Sequence, residues 1–189
     1  MNVNDVTSTI VERLPDALLV SSLGTATSSV RLSTDDGPHF YFGAAMGSAL
    51  AGALGLAEAV PDRRVVAVLG DGDFLMGANS MWSLSAYRPS NLTVVVLADG
   101  AYSITGGQPI PCELRVAEVA NVLSGLVGVA VETTGELAAA LDQWESGDQP
   151  LVVEARLSER LWPGPSPFVD PAATVRNLRE ELAGTGTRR

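Results

Sequence analysis

Short apolar runs rich in β-branched residues alternate along this chain with longer segments of helical character. The runs with the composition of buried strands lie at 17–21, 65–69, 92–98, 127–131 and 151–155. The helical segments cover about 4–14, 46–60, 78–87, 117–126, 136–145 and 172–182. Strands that are apolar on both faces and alternate with helices are typical of a parallel sheet that is covered on both sides. The pattern therefore predicts an α/β fold with a doubly wound parallel sheet.

The length of the chain fits one domain. Its 189 residues, of which 46% are hydrophobic, are enough to bury a sizeable core. We predict a single domain over 1–189, with an irregular strap at 162–171 and a disordered tail at 183–189. No apolar run approaches the ~20 residues of a membrane span, and the first residues lack the pattern of a signal peptide. We therefore expect a soluble cytoplasmic protein.

The charge of the chain and its rare residue types exclude several classes of function. A net charge of −10 argues against nucleic acids and membranes as partners. The chain has one cysteine, Cys112, and one histidine, His39, so an internal disulfide is excluded and a zinc cluster or a His-dependent triad is poorly supported. Chemistry in this chain would need a metal, a cofactor or a partner chain.

One of the helical segments is apolar on nearly every side. Residues 43–60, GAAMGSALAGALGLAEAV, are rich in glycine and alanine. A helix on the surface of a domain would show a polar face, so this helix should pack closely against another backbone. That backbone could belong to the core of this domain or to another subunit. The sequence slightly favours a subunit interface, because one layered domain rarely buries every side of a helix.

Two acidic turns follow consecutive strands of the predicted sheet. Asp71 stands between two glycines directly after the second apolar run, and Asp99 directly follows the third. The GDG tripeptide also fits an ordinary strand-to-helix turn, whereas a dinucleotide-binding GxGxxG turn would need glycine in place of Leu75. Both acidic turns should open at the carboxyl edge of the sheet, where such sheets bind ligands. Two carboxylates beside glycine-rich turns favour Mg²⁺ and a phosphate group, so a metal-anchored diphosphate is the predicted ligand.

The order and spacing of these turns resemble the signature of thiamin diphosphate enzymes. GDG at 70–72 is followed, after a spacer of family size, by Ala-Asp-Gly at 98–100 in the place of the family's paired-Asn element. The segments SSLGTATSSV at 21–30, FYFGAAMG at 40–47 and AYSITGGQP at 101–109 resemble segments of sulfopyruvate and phosphonopyruvate decarboxylases. The similarity is strong over about 17–110. It implies the thiamin diphosphate-binding fold of the pyrophosphate-binding type.

The resemblance implies roles for individual residues. Mg²⁺ would be bound by the side chains of Asp71 and Asp99 and by the backbone carbonyl of Ala101. The residues implied in cofactor binding are Gly24, Thr25, Ala44, Met46, Gly70, Gly72, Asp73, Ser103 and Ile104. Among them, Met46 would be the apolar wedge that holds the cofactor bent, and the Ala44 carbonyl would accept a hydrogen bond from its aminopyrimidine.

Three residues of the loop after Asp99 could face the reacting carbon of the substrate. They are Tyr102, Thr105 and Gln108, for which packing within the loop is an equal alternative. The chain also departs from the family pattern at two positions. Asp99 stands where the family has asparagine, which adds a negative charge to the metal site, and Ala44 stands where the family has glycine.

Thiamin diphosphate enzymes also need a pyrimidine-binding domain, whose glutamate activates the cofactor. Too few residues precede the GDG strand for that domain, and no glutamate in this chain matches the activating residue. The resemblance therefore implies a separate pyrimidine-domain subunit, in a hetero-oligomer with two or more copies of each chain. Some sulfopyruvate decarboxylases are divided between two short chains in this way.

The expected function is that of the pyrophosphate- and Mg²⁺-binding subunit of a thiamin diphosphate-dependent 2-oxo acid decarboxylase, a carboxy-lyase. A carboligase or synthase subunit of the same superfamily is one alternative, and a non-catalytic cofactor-binding scaffold is another. The sequence does not specify which 2-oxo acid is the substrate. A sulfonate or phosphonate substrate would need basic residues, which are scarce around these loops and could come from the partner.

Overall fold

The computed structural model describes residues 1–34, 37–144, 147–164 and 170–185. The helices in these ranges are α1 (Val3–Arg13), α2 (Gly24–Ser33), α3 (Ala49–Ala59), α4 (Asp71–Met76), α5 (Ser80–Tyr87), α6 (Val116–Val122), α7 (Thr134–Trp144) and α8 (Pro171–Thr185). The strands are β1 (Leu18–Ser21), β2 (Phe40–Tyr41), β3 (Val65–Gly70), β4 (Leu92–Ala98), β5 (Ala101–Tyr102), β6 (Gln108–Pro109), β7 (Val127–Val131) and β8 (Leu151–Arg156). A 3-10 turn covers Ser103–Thr105.

Six strands form one fully parallel sheet in the order β2-β1-β3-β4-β8-β7. Alternate residues of the central strands enter two cores on opposite faces. In β3, Val65 and Leu69 belong to the core with α3, α5 and α6, whereas Val66 and Val68 belong to the core with α1, α2 and α7. All four side chains are fully buried, which contributes roughly 1.5–3 kcal/mol each. The predicted doubly wound α/β fold is therefore confirmed.

Helix α2 was not predicted from the sequence pattern. Its sequence, GTATSSVRLS, is rich in serine and threonine, which favour caps and turns more than helix interiors. The helix is held by tertiary hydrogen bonds to α1. The Ser29 hydroxyl lies 2.6 Å from the Thr7 hydroxyl and donates to Asn4 Oδ1 at 2.7 Å. Packing against α1 thus overrides the weak local propensity of this segment.

The C-terminal part of the described chain forms a helix that contacts the edge strand β2. Helix α8 ends at Thr185, which places 183–185 in the helix instead of in the predicted tail. Leu178 and Leu182 pack on the core with α3, and Glu181 pairs with Arg63 at 3.1 Å, so this last turn has tertiary support. Residues 165–169 of the predicted strap and 186–189 of the tail lie outside the described residues. Among the helices described, none is long and apolar enough to cross a membrane.

The apolar helix α3 is buried on one side only. Its core-facing residues are Ala49, Leu50, Ala53, Leu54 and Ala57. On the opposite side Ala51, Gly55 and Ala59 are exposed. One face of the helix therefore belongs to the core of the domain, which was one of the two alternatives. A subunit interface on the exposed face stays a prediction.

A matched pair of substitutions separates the two faces of α3. We expect Ala53→Glu to unfold the chain, because it would bury an unpaired carboxylate at a cost of at least about 3 kcal/mol. Ala51→Glu places the same side chain in solvent and should leave the isolated chain folded. Circular dichroism measures the fold, and sedimentation with the partner measures assembly. Normal assembly of Ala51→Glu would contradict an interface on this face.

Candidate cofactor site

Three neighbouring strand ends meet at the carboxyl edge of the sheet. Strand β3 lies between β1 and β4, and the turns that follow these strands begin at Ser22, Asp71 and Asp99. The backbone N–H of Gly100 donates to Asp71 Oδ2 at 2.7 Å, which joins the two acidic turns directly. The sequence-based expectation that both turns open into one crevice is therefore confirmed.

Asp71 is a buried carboxylate at the start of α4, with 3% of its surface exposed. Its Oδ1 accepts from the N–H of Gly72 at 2.8 Å, in addition to the Gly100 bond at Oδ2. Burial raises the pKa of Asp71 to about 6; hydrogen bonds from backbone amides oppose this shift, and the nearby Asp99 carboxylate adds to it. Because its surroundings disfavour the negative charge, a bound cation would stabilise this carboxylate.

The turn after β4 presents a second carboxylate and a backbone carbonyl. Asp99 Oδ1 accepts from the N–H of Ala101 at 2.9 Å, and Asp99 Oδ2 accepts from the Ser103 hydroxyl at 2.7 Å. Gly100 has a φ of +75°, which this tight turn requires. Ala101 opens the β5–β6 hairpin opposite Pro109, and beside this pair the N–H of Ile110 donates to the carbonyl of Gly100 at 2.9 Å. The turn therefore offers the oxygen atoms that Mg²⁺ prefers.

The side chains at this site supply only part of a coordination shell. In the ranges that the model describes, no group of three or more His, Cys, Asp and Glu side chains is arranged for a metal ion. The carboxylates of Asp71 and Asp99 would need the Ala101 carbonyl, phosphate oxygens or water to complete six positions. Magnesium sites commonly combine one or two carboxylates with substrate phosphates in this way.

The turn after β1 carries an unsatisfied hydroxyl. Ser22 is 1% exposed and lines the crevice, and its Oγ has no hydrogen-bond partner. Buried hydroxyls in native proteins are almost always bonded, so this one fits a ligand oxygen such as that of a phosphate. Sequence reasoning did not single out Ser22. The signal was present, since Ser22 directly follows a strand and precedes a glycine that opens a helix.

Two glycines bring the backbone close to the loop that follows Asp99. A Cβ atom on Gly24, whose φ is +59°, would lie 2.8 Å from Ile104 Cγ2. A Cβ atom on Gly72 would lie 2.6 Å from the Tyr102 ring. A larger residue at either position would push the side chain of Ile104 or Tyr102 away. These glycines therefore allow backbone amides at helix starts to line the crevice, which suits an anionic group.

Asp73 connects the GDG turn to the loop that carries Met46. Its buried side chain accepts a hydrogen bond at Oδ1 from the N–H of Gly47 at 2.9 Å, and burial raises its pKa. The backbones of Gly47 and Gly77 also touch, because a Cβ atom on Gly77 would lie 2.1 Å from the Gly47 carbonyl oxygen. The position of Met46 is therefore tied to the acidic turn. The resemblance implied that Asp73 takes part in cofactor binding, and the structure adds this role for its side chain.

The crevice brings together most of the residues that the resemblance implied. It is lined by Gly24, Thr25, Met46, Gly70, Asp71, Gly72, Asp73, Asp99, Ala101, Tyr102, Ser103, Ile104 and Thr105. Ala44 and Gln108 are not among the lining residues, and both are exposed. Gln108 Nε2 donates to the Thr105 carbonyl at 2.8 Å, and the Thr105 hydroxyl donates to Gln108 Oε1 at 3.0 Å. These two side chains thus bind each other at the rim, and a role towards substrate stays a prediction.

Comparison with protein families identifies the type of domain. Residues 24–155 match the C-terminal TPP-binding domain of thiamine pyrophosphate enzymes. The chain belongs to this family. The match includes both acidic turns and β3, β4, β7 and β8, so the TPP-binding domain extends across the crevice described above.

Several curated relatives of this TPP-binding domain are named as decarboxylases, and one, from Mycobacterium tuberculosis, is named as a putative acetolactate synthase large subunit. Phosphonopyruvate decarboxylase of Streptomyces viridochromogenes is 33% identical over 185 residues, which cover 94% of this chain and 46% of that protein. Sulfopyruvate decarboxylase subunit beta of Methanothermobacter thermautotrophicus is 37% identical over 95 residues, which cover 50% of this chain and 51% of that subunit. The matched residues span about half the length of each of these two relatives. The resemblance found in the sequence is confirmed.

A solved structure shows the same fold. The thiamine diphosphate-dependent 4-hydroxybenzoylformate decarboxylase of Rhodococcus jostii superposes with a TM-score of 0.70 at 23% identity. The superposition covers 83% of the chain described here and 32% of the Rhodococcus jostii decarboxylase chain.

Proposed function

We propose that this chain is the pyrophosphate- and Mg²⁺-binding subunit of a thiamin diphosphate-dependent 2-oxo acid decarboxylase. The observation that carries the proposal is the shared crevice. It contains the carboxylates of Asp71 and Asp99, whose turns are joined by the bond from the Gly100 N–H to Asp71, together with the unsatisfied Ser22 hydroxyl. This combination of hard oxygen ligands and a buried hydroxyl without a partner fits a metal-bound diphosphate. The decarboxylase names of the relatives support the reaction class, a carboxy-lyase.

Each part of the crevice would hold one part of the cofactor. The metal would be bound by Asp71, Asp99 and the carbonyl of Ala101, and the diphosphate by the turn at 22–25. Met46 would support the centre of the cofactor with an apolar surface, in a position that the Asp73 side chain holds. Bound thiamin diphosphate supplies the group that takes up electrons as CO₂ leaves a 2-oxo acid.

Two side chains of the loop after Asp99 would limit the access of water to the bound diphosphate. Tyr102 packs against the GDG turn at Gly72, and Ile104 packs against the start of α2 at Gly24. Both contacts lie at the lining of the crevice. Exclusion of water strengthens the electrostatic interactions of the site.

We further propose that the activating glutamate comes from a pyrimidine-domain partner. The residues of the described chain that line the crevice include aspartates but no glutamate. Several sulfopyruvate decarboxylase relatives are named as beta subunits, which supports an enzyme made of two kinds of chain. An assembly with two or more copies of each chain would place the cofactor between them.

We expect no decarboxylation when this chain is assayed alone with saturating Mg²⁺ and thiamin diphosphate. Without a carboxylic acid beside the pyrimidine ring, the cofactor is not readily activated. Addition of a pyrimidine-domain chain should create activity, measured as CO₂ release from a panel of 2-oxo acids. Loss of the partner's glutamate should remove that activity and leave assembly intact in sedimentation experiments.

The same assay separates the alternatives. Robust turnover by this chain alone would contradict the divided active site. Condensed products in place of free aldehydes would indicate a carboligase. Cofactor binding with a competent partner but without turnover of any 2-oxo acid would indicate a non-catalytic scaffold.

A further inference from the structure

Arg160 reaches from the segment after β8 to the turn that holds Asp99. Its Nε and Nη2 both donate to the Asp99 carbonyl oxygen, at 3.0 and 2.9 Å. The sheet positions this segment, since the N–H of Leu157 donates to the carbonyl of Ala98 at 3.0 Å. Arg160 thus holds the backbone of Asp99. The Asp99 carboxylate is held separately, by the N–H of Ala101 and the hydroxyl of Ser103.

Without Arg160, the charged side chains that line the site among the described residues would all be negative. A second cleft adjoins the cofactor crevice, shares Asp99 with it and is lined by Arg160. Among the described residues that line the two, the acidic side chains are Asp71, Asp73 and Asp99, and Arg160 is the one basic side chain. Asp99 is also the position at which this chain has a carboxylate in place of the family's neutral asparagine. Even with Mg²⁺ bound, an anionic diphosphate would therefore meet one more negative charge than it would with asparagine at position 99.

We propose that Arg160 is a positioning residue for the diphosphate, which holds the Asp99 turn and offsets the negative charge that Asp99 adds. This inference rests on the proposed function. If Arg160 acts by its charge, removal of the carboxylate at position 99 should compensate for its loss. If Arg160 only bonds the carbonyl, that removal should not compensate, because asparagine has the same backbone carbonyl.

The test compares cofactor affinities of the full chain by calorimetry, with thiamin diphosphate at saturating Mg²⁺. We expect Arg160→Met to weaken binding about tenfold, since it removes a positive charge near the site. Arg160→Lys keeps the charge but loses the paired hydrogen bonds, and should stay within about threefold of the parent. The double variant Arg160→Met with Asp99→Asn should also recover to within about threefold of the parent.

A matched control removes the same charge elsewhere. Arg13, at the end of α1, forms an exposed ion pair with Asp142 of α7. Arg13→Met breaks this pair and should leave cofactor affinity unchanged. Thermal melts of all variants check that the fold is retained.

The outcomes separate this inference from the proposed function. A parent chain that binds no thiamin diphosphate with Mg²⁺ would overturn both. A parent chain that binds, with Arg160→Met binding equally well, would overturn only the role of Arg160. If the double variant or Arg160→Lys binds thiamin diphosphate as weakly as Arg160→Met does, the proposal that Arg160 offsets the charge of Asp99 is wrong.

Discussion

Replacement of Asp71 by alanine should abolish the Mg²⁺-dependent binding of thiamin diphosphate. Asp71 is the most buried carboxylate of the crevice, and its two oxygens also accept the N–H groups of Gly72 and Gly100. The substitution would remove the proposed charged metal ligand and leave both amides without this acceptor. We expect affinity to fall by more than about 100-fold, because changes to groups next to a metal ligand already cost 10–100-fold. Calorimetry with and without Mg²⁺ measures the loss.

Asp99→Asn is the matched control for Asp71→Ala. It replaces the other carboxylate by the amide that the family pattern has at this position. The amide oxygen of asparagine can still accept from the N–H of Ala101 and still offer an oxygen to the metal, so binding should be retained. Unchanged cofactor affinity in Asp71→Ala would refute the assignment of the metal site.

Gly77→Ala should destabilise the domain and displace the loop that carries Met46. The added Cβ would lie 2.1 Å from the carbonyl oxygen and 2.7 Å from the carbonyl carbon of Gly47. These are backbone atoms, so no side-chain rotation can relieve the overlap. We expect a loss of about 3 kcal/mol in the free energy of unfolding, at the upper end of the usual cost of overpacking. Urea denaturation followed by circular dichroism measures it.

Gly55→Ala makes the same chemical change where space is open. Gly55 lies inside α3, and a Cβ there would meet no atom within 4 Å. Alanine is the better helix former, so the isolated chain should gain roughly 0.5–1 kcal/mol. If Gly77→Ala and Gly55→Ala changed the free energy of unfolding equally, the close backbone contact between Gly47 and Gly77 would be refuted.

The two predictions concern two sides of one crevice. Asp71 holds the turn after β4, and Gly77 together with the Asp73 side chain holds the loop at 44–48. A cofactor bound between them would need both at once. Loss of affinity in Gly77→Ala, measured below its unfolding transition, would show that the position of the loop at 44–48 contributes to cofactor binding.

The fold could be predicted because its main signal is local. A strand buried on both faces has to be apolar at consecutive positions, so β3 and β4 stand out as continuous runs in the sequence. The short strand β2, with two residues, carries too little pattern to be recognised. Helix α2 has a sequence that disfavours helix, and its hydrogen bonds to α1 come from residues 22 to 26 positions earlier.

The sequence by itself determined the chemistry of the acidic turns. Glycine beside Asp71 and Asp99 directly after buried strands already places two carboxylates at one edge of a parallel sheet, because strand direction fixes where these turns open. The tertiary structure decided which other groups meet them. The Asp73 side chain binds Gly47, 26 residues away, and Arg160 binds the Asp99 carbonyl, 61 residues away. Contacts at such separations follow no periodic pattern in the chain, since they depend on how loops from different strands pack after the sheet has formed.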